Sequence, residues 1–137
     1  MKSIFLFVFI ILLSVKGYSQ VAVIAHNSVS VDSISKSQLL DFYTGDIREW
    51  ENDFTLIVFD LKPKPGVRDI FYKFIGKSSS RMKSIWLKKV LLGEGDPPEV
   101  LETEEEMLKT IAKTPGSIGF VSSDLVDKSV KVLILIE

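Results

Sequence analysis

Apolar residues are distributed along this chain in two ways: short unbroken runs, and stripes that return every three or four positions. Val21-Ala22-Val23-Ile24-Ala25 is an unbroken run without a helix-start signal and predicts a buried strand. Thr55 to Phe59, Ile118 to Val121 and Val130 to Ile136 read the same way. Helical stripes lie between these runs. Ser35-x-x-Gln38 forms a capping box before Leu39, Leu40 and Tyr43, and Gly45 stands where a glycine ends a helix. Val67, Ile70, Phe71, Phe74 and Ile75 recur at helical spacing up to Gly76, with Pro65-Gly66 at the entrance. Met82, Ile85, Trp86, Val90 and Leu91 form another stripe ending at Gly93. Thr103-x-x-Glu106 opens a last helix through Met107, Leu108 and Ile111, which Thr114-Pro115-Gly116 breaks. The predicted order is β-α-β-α-α-α-β-β. Helices interleaved with apolar strands predict one α/β domain, its mixed sheet covered by helices on both faces. One core is expected to gather Ile24, Leu40, Ile57, Phe71, Trp86, Ile111 and Ile134.

The first 19 residues follow a different pattern. Met1-Lys2-Ser3 carries positive charge, Ile4 to Val15 is almost wholly apolar, and Gly17-Tyr18-Ser19 is small-x-small. This is the layout of a signal peptide over residues 1–19, cleaved before Gln20, with the domain over 20–137. The apolar run is well short of the roughly 20 residues a membrane span needs, so no stable span is expected after cleavage. The implied location is periplasmic or secreted.

Composition removes most chemistries. The chain of 137 residues has no Cys and one His, which excludes disulfide scaffolds, thiolate metal sites, Cys nucleophiles and His-rich metal centres. The leader holds two of the 17 basic residues and none of the 18 acidic ones, leaving a net charge of −3 on the rest. No nucleic-acid partner and no cofactor are expected. His26 with Ser28 or Ser30 lacks a G-x-S-x-G elbow and reads as a polar turn. Gly93-x-Gly95 lacks the third glycine and preceding strand of a dinucleotide loop, so it also reads as a turn. The run Glu104 to Glu106 is explained by the positive end of a helix. Asp60 and His26 make no coherent acid–base pair for a hydrolase, and the expected protein is not an enzyme.

One arrangement has a binding mechanism. Residues 61–93 carry nine basic groups against the single acid Asp69, and residues 94–106 carry seven acids and no base. Within the basic segment a strand ends at Asp60, a loop holds Lys62 and Lys64, and a helix begins at Pro65-Gly66-Val67-Arg68. Free N–H groups and the macrodipole make a helix start attractive to anions, and Gly66 permits close approach. Asp60, Lys62, Lys64, Gly66, Val67 and Arg68 are therefore the candidate site for phosphate or another small anion. The alternative for the charge segregation is two solvated helix faces.

Three segments also carry a resemblance. Leu39-Leu40-Asp41-Phe42-Tyr43-Thr44-Gly45-Asp46-Ile47-Arg48-Glu49-Trp50 resembles the segment ending in K-I-x-x-W of phosphate ABC transporter substrate-binding proteins. Thr114-Pro115-Gly116-Ser117-Ile118-Gly119-Phe120-Val121 is similar to their TPGSIGYV segment, and Gly93 to Pro98 resembles the glycine–proline turn of short members. The resemblance implies one lobe of a type II periplasmic binding protein, with a carboxylate accepting the proton of monohydrogen phosphate, a place open to Asp60. Family receptors use a Ser-Gly-Thr at a helix start, where this chain has Pro65-Gly66-Val67, so only Gly66 carries over directly. The function expected is a substrate-binding-like protein with weak anion binding, completed by self-association or an envelope protein. The alternative is an interaction module that keeps the lobe and has lost the ligand.

Overall fold

A computed structural model describes residues 20–137; the signal peptide expected over residues 1–19 lies outside the described residues. The elements are β1 (Val21–Ala25), α1 (Lys36–Thr44), β2 (Ile57–Leu61), α2 (Val67–Ile75), α3 (Ser79–Leu91), β3 (Glu99–Leu101), α4 (Glu104–Lys113), β4 (Ser117–Ser122), a 3-10 turn (Ser123–Leu125) and β5 (Lys131–Ile136). The strands form one mixed sheet in the order β3-β2-β4-β1-β5. β2 runs parallel to β3 and β4, and β1 runs antiparallel to β4 and β5.

Both faces of the sheet are covered, as the unbroken apolar strands require. Along β4 the side chains alternate between the faces. Phe120 stacks on Phe71 of α2 at 3.9 Å and 5°, while a side chain at Gly119 would run into Met107 and Ile111 of α4. Tyr43 of α1 meets Phe71 edge-on at 4.7 Å and completes the aromatic centre of the first face.

The helix signals act as the residue types dictate. Ser35 Oγ accepts from the Gln38 N–H and Gln38 Oε1 from the Ser35 N–H, a complete capping box. At Thr103 only half of the box forms: the Thr hydroxyl accepts from the Glu106 N–H, but the Glu106 carboxylate accepts from the Glu102 N–H. Gly45 ends α1 at φ 78°, and a Cβ there would lie 2.5 Å from the Trp86 ring. Gly45→Ala is therefore expected to cost about 1–3 kcal/mol through left-handed strain and overpacking, read as a lower urea midpoint at unchanged slope.

Several expectations are corrected. The strand placed at Thr55 to Phe59 begins and ends two residues later, and Ile57 is 36% exposed; burial in β2 starts at Phe59. A further strand, β3, follows the expected Gly93–Pro98 turn in a stretch for which no element was expected, so the order is β-α-β-α-α-β-α-β-β. The α3 stripe buries Met82 and Trp86, but its last turn opens to solvent, with Leu91 77% exposed. The remaining expected core residues are buried or packed against the core.

Candidate functional site

The motif segments meet each other. The Trp50 Nε1–H and the Ile57 N–H both donate to the Gly116 carbonyl, at 2.9 and 3.1 Å. Gly116 holds φ 77°, and a Cβ on it would collide with the Thr55 carbonyl. These residues lock the 45–57 turn to the α4–β4 corner, so they mark the fold. The binding residues expected from the sequence lie elsewhere, at and beyond the C-terminal end of β2.

There the parallel register of β2 and β3 pairs Leu61 with Leu101, which sets Lys62 beside Glu102. The Lys62 ammonium lies 3.4 Å from the Glu102 carboxylate, and Lys64 Nζ donates to the Glu102 carbonyl at 3.3 Å. Lys62 and Lys64 thus join the basic loop to the acidic segment across the sheet. With Pro65, Val67 and Arg68 they line a groove of about 190 Å³, whose other wall carries Glu102, Glu104 and Glu105. Gly66 caps α2 at φ 118° with no side-chain capping bond and open space around its Cα. The first amides of α2 are left without a capping side chain.

Asp60 and Arg68 are brought together, but inside the protein. Their side chains are 9% and 11% exposed and 3.4 Å apart. Asp60 Oδ1 accepts from the Leu61 N–H at 2.7 Å, and Oδ2 accepts from the Tyr72 hydroxyl at 2.5 Å. Arg68 donates to the Tyr72 oxygen at 2.9 Å and to Ser79 Oγ at 3.3 Å, and its guanidinium lies 4.0 Å from the Tyr72 ring centroid. Its Nε–H is buried without an acceptor. Asp60 lines a second cavity and is not in the wall of the groove that Lys62 and Lys64 line. Arg68 alone lines both.

Tyr72 and Ser79 were not among the expected site residues. The available signal was weak: Arg68 and Tyr72 stand at i and i+4 on α2, one above the other. Ser79 is 11 residues from Arg68, at the start of the next helix, and no local spacing connects them. His26 and Ser28 form the expected polar turn, with Nδ1 and Oγ 2.7 Å apart in an exposed position.

Burial fixes the protonation of the two buried tyrosines. Burial first, and then the nearby Asp60 charge, push Tyr43 and Tyr72 above the ordinary phenol value near 10. A raised folded-state value means full stability below pH ~10, lost as pH climbs toward the folded-state values. Denaturant titrations from pH 8 to pH 11 should show stability falling only above ~10, with phenolate absorbance appearing together with unfolding. Phenolate absorbance preceding loss of structure would contradict this.

Among the described residues no group of His, Asp and Glu could hold a metal ion, and no helix is long and apolar enough to cross a membrane. No protein-family model matches the sequence. In fold the chain matches half of a phosphate-type substrate-binding protein. One match is a phosphate ABC transporter substrate-binding protein with bound phosphate from Clostridium perfringens (TM-score 0.69, 21% identity, 84% of this chain and 45% of that one). An ABC-type phosphate transport receptor from Vibrio cholerae (0.67, 21%, 84% and 46%) and PstS from Borrelia burgdorferi (0.61, 15%, 86% and 48%) match similarly. The chain spans about half the length of these structures.

Proposed function

We propose that this is an exported, non-catalytic protein of the substrate-binding type that holds phosphate or a similar small anion weakly at the start of α2. The observation that carries the reading is the uncapped helix start at Gly66, beside a groove lined by Lys62, Lys64, Val67 and Arg68. The ligand rests against the Val67 and Arg68 amides, with Lys62 and Lys64 as point charges. Asp60 acts from behind, holding Arg68 in place. The bound-phosphate neighbour supports the ligand class, since it shares this fold.

Two features make the binding weak. Pro65 and Val67 bring no hydroxyl, and the acidic residues Glu102, Glu104 and Glu105 line the same groove. With the ligand exposed and screened, the dissociation constant is expected near the millimolar range. Calorimetry with phosphate at low and moderate salt tests this. Lys64→Glu, on the exposed loop, is expected to weaken binding about tenfold, and added salt to weaken the wild type. Affinity unchanged by both would overturn the site.

The exposed end of α3 favours a second reading, an interaction module that keeps the fold without the ligand. Leu87, Leu91 and Leu92 stand in solvent there, as does Val100 on the edge strand. Absence of phosphate binding together with a lasting complex through this face would select that reading.

A further inference from the structure

Charge and apolar surface follow an order along α3 that the phosphate reading does not use. The helix holds four basic residues and no acid, and the turn that leaves it holds Glu94 and Asp96. Exposed leucines lie between the ends: Leu87 is 62% exposed, Leu91 77% and Leu92 61%. Leu87 and Leu91 stand one helical turn apart in a single row. That row is on the outer face, since Met82 and Trp86 are the residues α3 buries. Lys89 is paired with Asp46, whereas Arg81, Lys83, Glu94 and Asp96 are exposed and make no ion pair among the described residues. From Arg81 to Asp96 the surface thus runs from a basic end through a leucine row to an acidic end.

The order of charges selects the occupant. An anionic membrane or an acidic partner would meet Glu94 and Asp96, and a basic partner would meet Arg81 and Lys83. A second copy of the chain avoids both conflicts. A two-fold axis through the leucine row runs the partner's helix antiparallel and sets Leu87 of each copy against Leu91 of the other. The same axis carries the acidic end of each copy to the basic end of the other. The spacing agrees: Lys83 lies four residues before Leu87 and Glu94 three residues after Leu91, each about one turn beyond the apolar contact. Lys88 stands to one side of the row, and the axis takes its symmetry mate to the opposite side, so these like charges do not meet.

We propose that the protein forms a two-fold dimer through the outer face of α3, with Leu87 and Leu91 at its centre and Arg81 and Lys83 opposite the partner's Glu94 and Asp96 at both ends. The proposal rests on the interaction reading of this face and names its partner; it does not depend on phosphate. A contact made by one helix and one turn is small, so association is expected in the micromolar range. The leucines supply most of the affinity, and the charges set the register.

Sedimentation equilibrium of the mature protein tests this. The wild type is expected to show a reversible monomer–dimer equilibrium, and Leu91→Ser to weaken it about tenfold with circular dichroism unchanged. Arg81→Glu with Lys83→Glu makes both ends acidic, and Glu94→Lys with Asp96→Lys makes both ends basic. Each of these folded variants should be monomeric alone, and an equimolar mixture should recover a dimer of about wild-type affinity, because opposite charges then meet at both ends. A monomeric wild type, indifference to Leu91→Ser, or a mixture that stays monomeric would each overturn the dimer. Binding of the monomer to phosphatidylglycerol vesicles through Leu91 would assign the face to a membrane instead. A monomer that forms a lasting complex with a different protein through this face would overturn the second copy and keep the interaction reading. The phosphate titration at the start of α2 is read separately, so either proposal can fail alone.

Discussion

Replacing Phe71 with Ala is expected to lower the unfolding free energy by about 3–5 kcal/mol. Phe71 is fully buried and lies between Phe120, stacked at 3.9 Å, and Tyr43, edge-on at 4.7 Å. Truncation removes the transfer free energy of a whole ring and leaves a void that Tyr43 cannot fill, because its hydroxyl is held by the Phe59 carbonyl at 2.8 Å. Phe74, on the same helix but only partly buried, serves as the comparison. Its Ala variant should lose clearly less, since less of its ring leaves water on folding. Urea unfolding of both variants checks this, and a Phe71→Ala loss below about 3 kcal/mol would mean that the α2 face is not the centre of the core.

Asp60→Ala is expected to cost about as much, roughly 3–5 kcal/mol, for an electrostatic reason. The carboxylate serves three donors at once: the Leu61 N–H, the Tyr72 hydroxyl and the Arg68 guanidinium. Without it a nearly buried cation loses its partner, the most damaging way to break an ion pair. Removing both charges should hurt less than removing one. Asp60→Ala with Arg68→Met is expected to recover at least about 1 kcal/mol of the loss, by the same asymmetry between breaking a pair and replacing it. A double variant no better than the single one would show that Asp60 matters through packing and the tyrosine alone.

The parts of this fold that were legible in the sequence are those set by local chemistry. Ser35 and Gln38 satisfy each other's backbone groups at a fixed spacing, and Gly45 and Gly76 end helices in a conformation that favours glycine, so α1 and α2 could be read directly. β3 could not. It has three residues, only Leu101 is buried, and it owes its existence to pairing with β2 rather than to its own pattern. Ile57 misled because an apolar run fixes no register: β2 is covered only from Phe59 onward. The site divided in the same way. Gly66, Val67 and Arg68 follow from a helix start visible in the chain, whereas the Lys62–Glu102 contact joins residues 40 apart through strand register. The Arg68–Ser79 contact depends on how α2 and α3 pack, which no spacing encodes.

The anion site rests on two amides, and these can be watched individually. In an amide-resolved NMR titration of residues 20–137 with inorganic phosphate at low salt, the largest saturable shifts are expected at Val67 and Arg68. Gly66 and Lys64 should follow, the midpoint should lie near the millimolar range, and Gly119 in the sheet centre should stay still. Shifts that grow without saturating, or that centre away from the start of α2, would contradict phosphate binding there.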